Sequence, residues 1–227
     1  MPTDPRIYDH PSVWRGPDMC RRDDWIVTLD AEDIRELEVE LASVRARGLG
    51  VPRLTKDDFH IPRVAAKLDG VREALENGRG FALVRGLPVQ RYTKADSALI
   101  YWGIGAQLGP GFAQNAQGDM LGHVRDVGAN WKTDMRARGY QTKFHLPFHN
   151  DSTDVVALLC LHQAKAGGAS RIVSSTAIHN EFAVRRPDLW QVMCEPFCVD
   201  RRDEESPGQK PWYVTPCFTR FEGRLFI

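Results

Sequence analysis

No run of about eighteen consecutive apolar residues occurs in the chain, so no helix long enough to cross a bilayer, and no membrane partner, is expected. The opening MPTDPRIYDHPSVW lacks the basic flank and apolar core of a secretory signal, and a cytoplasmic protein is the expectation. Charge of one sign is also missing: thirty Lys and Arg balance thirty Asp and Glu, leaving no global field to hold a phosphate backbone. Nucleic acid is therefore not an expected partner. The five cysteines are scattered and form no CxxC pair, which argues for reduced thiols. Cys194 and Cys198 stand one helical turn apart, but two soft ligands without a second pair read as ordinary thiols before they read as a zinc site. There is no GxSxG elbow for a hydrolase nucleophile and no HExxH for a zinc hydrolase. Gly103, Gly105 and Gly109 do not have the GxGxxG spacing and fall in a helical run, so packing and C-capping explain them better than a dinucleotide does.

What is present is an ordinary globular composition, 42% hydrophobic and 26% charged over 227 residues, enough for one substantial core. Residues 1–24 read as an extended arm anchored by Trp14 and, just beyond it, Trp25, and 25–227 as one domain. Asp30 with Asp33 three residues on forms a helix start, and Ile34, Leu37, Leu41 and Val44 recur at helical spacing up to Gly48-Leu49-Gly50. A second helix is predicted from about Val64 to Glu76, ending at Asn77-Gly78. Phe81 to Val84 then read as a core strand, and Thr93 with Asp96 as the cap of a helix whose Ala95, Leu99, Trp102 and Ala106 share a face. Residues 111–141 are polar and glycine-spotted, the composition of a site-lining loop, with Gln114, Asn115, His123 and Asp126 as its polar groups. STDVVALLCLHQAK reads as a β-rich apolar run buried on both faces for part of its length, turned by Gly167-Gly168 into a further strand at RIVSS. Ser174 or Ser175 caps a helix ending at Pro187. The tail reads as a charged loop followed by strands joined near Glu222-Gly223.

The chemistry concentrates in FHLPFHNDSTD. Residues two apart in an extended segment point to one side, so the His149 imidazole and the Asp151 carboxylate can converge. One nitrogen and one oxygen donor suit a divalent first-row metal, and a second imidazole would complete a facial triad with open positions. The plainer alternative is that His149 caps a turn or hydrogen-bonds Asp151 at the surface.

Three stretches carry a resemblance: GRGFALVRGLPV, GIGAQLGPGFAQNAQGDMLGHVRDVG and above all LPFHNDSTDVVALLCLHQAKAGGASRIVSS. From about Trp25 onward the chain resembles the taurine dioxygenase-like family of Fe(II) and 2-oxoglutarate-dependent oxygenases. The resemblance implies an α+β fold, a double-stranded β-helix (jelly roll) with flanking N-terminal helices, incomplete at its C-terminal end. It implies Fe(II) and 2-oxoglutarate as cofactors, and O2 and a small molecule as substrates, with release of succinate and CO2. By its pattern His149 and Asp151 are iron ligands and catalytic residues, Ser170 hydrogen-bonds 2-oxoglutarate, and His145 faces the substrate. The family's distal His and its carboxylate-binding Arg lie roughly a hundred residues past the His-x-Asp pair. His162 and His179 are poor substitutes, and Arg220 and Arg224 serve only in an unusual register. The expectation is an N-terminal portion of a longer oxygenase.

Three classes stay open on the residues alone. They are an iron oxygenase, a cupin-like metal-binding jelly roll without turnover, and a non-catalytic interaction domain whose last strand offers a pairing edge and favours a homo-oligomer.

Overall fold

Asp30 begins the first long helix as its spacing from Asp33 predicts. A computed structural model describes residues 5–115, 118–130, 133, 137–201, 205 and 207–227. The first residues of the arm, parts of the 111–141 segment and much of the charged tail loop therefore lie outside the described residues. The chain divides into two compact units. One is mainly helical, residues 14–113 and 153–173; the other comprises 1–13, 114–152 and 174–227.

In the helical unit, α1 (Gly16–Met19) leads to β1 (Ile26–Thr28), α2 (Ala31–Ala46), α3 (Pro62–Glu76), β2 (Leu83–Arg85), a 3-10 turn at Val89–Arg91 and α4 (Lys94–Leu108). The Asp30 carboxylate accepts from the Glu32 and Asp33 amides, and the Asp33 carboxylate accepts from the Asp30 amide at 2.7 Å, a reciprocal cap. Asp33 is fully buried, which an ionised carboxylate tolerates only when paired. Arg63 Nε at 2.8 Å and the Lys67 ammonium provide the pairing. Burial works to raise the Asp33 pKa, but the Lys67 and backbone hydrogen bonds outweigh it and hold the group below the usual carboxylate range. The start of α3 has proline but no cap of its own; Glu36 of α2 reaches across to accept from the Arg63 and Val64 amides, both at 2.9 Å.

These helices bury Leu37, Val44, Phe59, Val64, Leu68 and Ile100 in one core. Gly103 is where α4 admits the Phe59 ring, since a Cβ there would stand 2.4 Å from Phe59 Cδ1. The apolar face of α4 differs from the expected one: Ile100 and Gly103 are buried, with Leu99 and Trp102 only partly so. Trp102 compensates by donating its indole N–H to the Leu54 carbonyl at 2.7 Å. Trp14 donates likewise to Arg79 O at 2.9 Å, and both Trp14 and Trp25 rest on Phe81.

The strand predictions fail over 81–84 and 153–173, while the pair expected around Glu222-Gly223 forms. β2 pairs with β1 in parallel, Ile26 opposite Leu83, but β2 is exposed along its length and is not a core strand. Gly167 and Gly168 do turn the chain, both at positive φ, yet 153–173 forms no strand, and Leu158 is 74% exposed. A strand buried on both faces needs neighbours to satisfy its amides and carbonyls. Among the described residues none pairs with this stretch, and Tyr101 Oη donating to Ala157 O at 2.6 Å is a point tether.

The other unit holds a 3-10 turn (Gly139–Gln141), α5 (Ser175–Arg185), α6 (Pro187–Met193), β3 (Phe197–Asp200), β4 (Trp212–Thr215), β5 (Thr219–Phe221) and β6 (Arg224–Phe226). Ser174 is the cap of α5, its Oγ accepting from the Ala177 amide at 2.8 Å. Ala183, Trp190, Cys194 and Phe218 form a small core with Leu225 of β6 against it. Glu222 and Gly223, both at positive φ, make the two-residue turn between β5 and β6.

Among the described residues there are thus three two-stranded sheets and none closes into a barrel. The fold is mixed α+β, and the expected double-stranded β-helix is not formed. The physical reason is the one that leaves 153–173 irregular: apolar strand-like sequence without a partner edge stays coil.

Candidate metal centre

Local turns, not regular elements, deliver His149 and Asp151. The Gly139–Gln141 turn is fixed to the preceding loop by Arg125 N–H donating to Tyr140 O at 3.1 Å and Val127 N–H to Gln141 O at 3.0 Å. Leu146 packs on Gly139 where a Cβ would come within 2.2 Å of its Cδ1. The chain then runs through Pro147, and His149 Nδ1 lies 2.8 Å from the Pro147 carbonyl. A carbonyl only accepts, so in the neutral tautomer Nδ1 carries the proton and Nε2 the lone pair.

That bare nitrogen lies 3.7 Å from Asp151 Oδ1, with the two side chains about half exposed at 49% and 54%. The separation is too long for a hydrogen bond. Two donors about 2.1 Å from a common ion stand roughly 3 Å apart at a right angle and further apart as the angle opens, so the 3.7 Å gap accommodates a cation. The hydrogen bond to the Pro147 carbonyl fixes the orientation of the ring, as an outer bond would for an imidazole that binds a metal. His149 caps a turn, as the plainer alternative has it, but with the nitrogen a metal would not use.

A third donor does not join them: among the described residues no group of three or more His, Cys, Asp or Glu is placed to hold a metal. His162 is exposed in the irregular stretch. His179 is buried in α5, and its Nε2 accepts from the Trp190 indole at 2.8 Å, which uses the lone pair a metal would need. Arg220 lies over the Tyr8 ring, 5.8 Å from its centroid, and its charge reaches His179 and Cys194. His145 is exposed close before the pair, and Ser170 is exposed two residues after Gly168 in the helical unit. Of the loop's polar groups, Asn115 bonds Asp119 in both directions and Asp126 accepts from the Gly128 amide, so these side chains shape turns. Sequence reasoning missed the Pro147 carbonyl and the bond from Asn150 to residue 227. Proline two positions before the histidine is the one signal that points to the first; nothing in the sequence marks the second.

Two curated proteins are similar along 94% of the chain. FR-33289 synthase of Streptomyces rubellomurinus is 34% identical over 215 residues. Taurine hydroxylase-like protein SAT17 of Stachybotrys chartarum is 27% identical over 219 residues. The match spans 63% of the first relative and 56% of the second, about three-fifths of their length. The family model described as taurine catabolism dioxygenase TauD, TfdA family matches residues 46–222, a span that takes in the long helices α3 and α4 as well as His149 and Asp151, and by that match the chain belongs to this family of oxygenases.

Proposed function

We propose that the chain belongs to a non-haem Fe(II) and 2-oxoglutarate-dependent dioxygenase that hydroxylates a small organic molecule, releasing succinate and CO2. The observation that carries this reading is the convergence of His149 Nε2 and Asp151 Oδ1 across 3.7 Å in a chain of this family. His149 supplies a neutral nitrogen whose tautomer the Pro147 carbonyl sets, and Asp151 supplies a negative charge that offsets part of the cation's. Ser170 donates its hydroxyl proton to a 2-oxoglutarate carboxylate, and His145 meets the substrate. When bound, the iron provides the open positions at which cosubstrate and O2 are activated. The remaining donors come from outside the described residues. Residues 25–227 constitute the oxygenase portion, with 1–24 as its arm.

The two-donor geometry also favours a second reading, a divalent-metal site without turnover, which holds Zn(II), Mn(II) or Ni(II) as readily as iron and ignores 2-oxoglutarate. Incubation with Fe(II), ascorbate, 2-oxoglutarate and a panel of sulfonates, aryloxy acids and amino acids separates the two. Succinate that forms with Fe(II) alone among these metals, and not in His149→Ala, supports the oxygenase. Equal binding of all the metals without succinate supports the second reading.

A further inference from the structure

We infer that Asn150, between the two proposed ligands, is a positioning residue that moors their loop to the β5–β6 hairpin. Its Nδ2 donates to the Ile227 main-chain oxygen at 2.6 Å, an exposed bond joining positions 77 residues apart. The bond that fixes the His149 ring reaches only two residues back, and no regular element holds 144–152. The mooring makes the loop's geometry depend on something firmer. Leu225 of β6 packs on the Trp190–Phe218 core, and the Phe218 amide donates to Met193 O at 2.9 Å, tying the hairpin's entry to α6. Contacts thus run from the α5–α6 core through β6 and Ile227 to Asn150, with His149 and Asp151 on either side of it.

The arrangement explains why a side chain of this type sits inside the pattern. His149 and Asp151 converge, which leaves the intervening residue free to reach elsewhere. A carboxamide donates to a carbonyl, whereas an aspartate at the same place has only acceptors and would be repelled. Holding the loop before the cation arrives removes part of the ordering cost of binding. This consequence rests on the metal reading above; the mooring itself does not.

The test uses the full chain as wild type, Asn150→Ala, Asn150→Gln and His149→Ala. Mn(II) alone is titrated by electron paramagnetic resonance, and amide hydrogen exchange is followed across 144–152 and 224–227. Asn150→Ala is expected to weaken Mn(II) roughly three- to tenfold and to speed exchange in both segments, with Asn150→Gln recovering part of each. His149→Ala should lose Mn(II) binding without speeding exchange at 224–227. Unchanged exchange in Asn150→Ala overturns the mooring, and faster exchange with unaltered Mn(II) affinity overturns its positioning role. If wild type and His149→Ala bind Mn(II) alike, the metal reading fails, while the exchange result still decides whether Asn150 holds the loop.

Discussion

The helical unit and the unit carrying α5 and α6 are built on different balances. Among the described residues, twelve buried hydrophobic residues interlock in the core of the first and four form the core of the second, with a histidine enclosed beside them. The first has its charge network, Asp30 and Asp33 with Arg63 and Lys67, at the start of its long helices. The second relies on a neutral imidazole ringed by Tyr8, Trp190 and Phe218 at 5.0–5.9 Å between ring centroids. Stability in the first comes from area and packing. The second adds to its packing one enclosed titratable group whose protonation burial disfavours.

Truncation within the larger core should have the greatest effect. Phe59→Ala empties the space between Gly103 and the helices and is expected to destabilise the helical unit by about 3–5 kcal/mol in chemical denaturation. In the smaller core, Trp190→Phe keeps most of the ring but removes the indole donor, leaving His179 Nε2 buried without its partner. A loss of about 1–3 kcal/mol is expected there, read by the same denaturation.

Acid should separate the units more cleanly than mutation does. Burial pushes the His179 pKa down, against the opposing Asn180 hydrogen bond and with help from Arg220. The Trp190 and Phe218 rings packed on it carry no charge to stabilise an imidazolium. A folded-state pKa below the unfolded one means that the unfolded chain takes up the proton first. Stability of this unit is therefore full above about pH 6.5 and falls as pH drops below that through the depressed value. Asp24, held down to about 2 chiefly by its hydrogen bond to Arg22, and Asp30 and Asp33, also held low, do not begin to act until pH falls below about 4. From pH 7.5 to 5.5, amide protection, corrected for the intrinsic exchange rate at each pH, should fall across α5, α6 and β5 and stay level across α2 and α3; His179→Gln should abolish the difference. The smallest effect expected is from Glu36→Ala, which strips the α3 amides of their borrowed cap, at about 1 kcal/mol in the same denaturation.

Legibility in sequence follows the same division. Asp30–Asp33, Thr93–Asp96 and Ser174 were readable as helix starts because a cap is a local event, and Leu37, Leu41 and Val44 because helical spacing is too. The α4 face was displaced because Gly103 admits Phe59, a contact the local pattern does not contain. Val155, Val156 and Leu158 read as a buried strand, but a strand is defined by a neighbour that its own residues do not encode. The same limit applies to the candidate site. The His-x-Asp pair is local, so its convergence was foreseeable; the Asn150–Ile227 bond is not local, and only the fold brings it into view.

The most direct test of the proposed function is anaerobic titration of the purified chain with Fe(II) and 2-oxoglutarate, watching for the weak visible metal-to-ligand charge-transfer band. The account predicts a band that saturates at one iron per chain and is lost in Asp151→Ala. A folded chain that shows no band, or a band indifferent to Asp151, would contradict it.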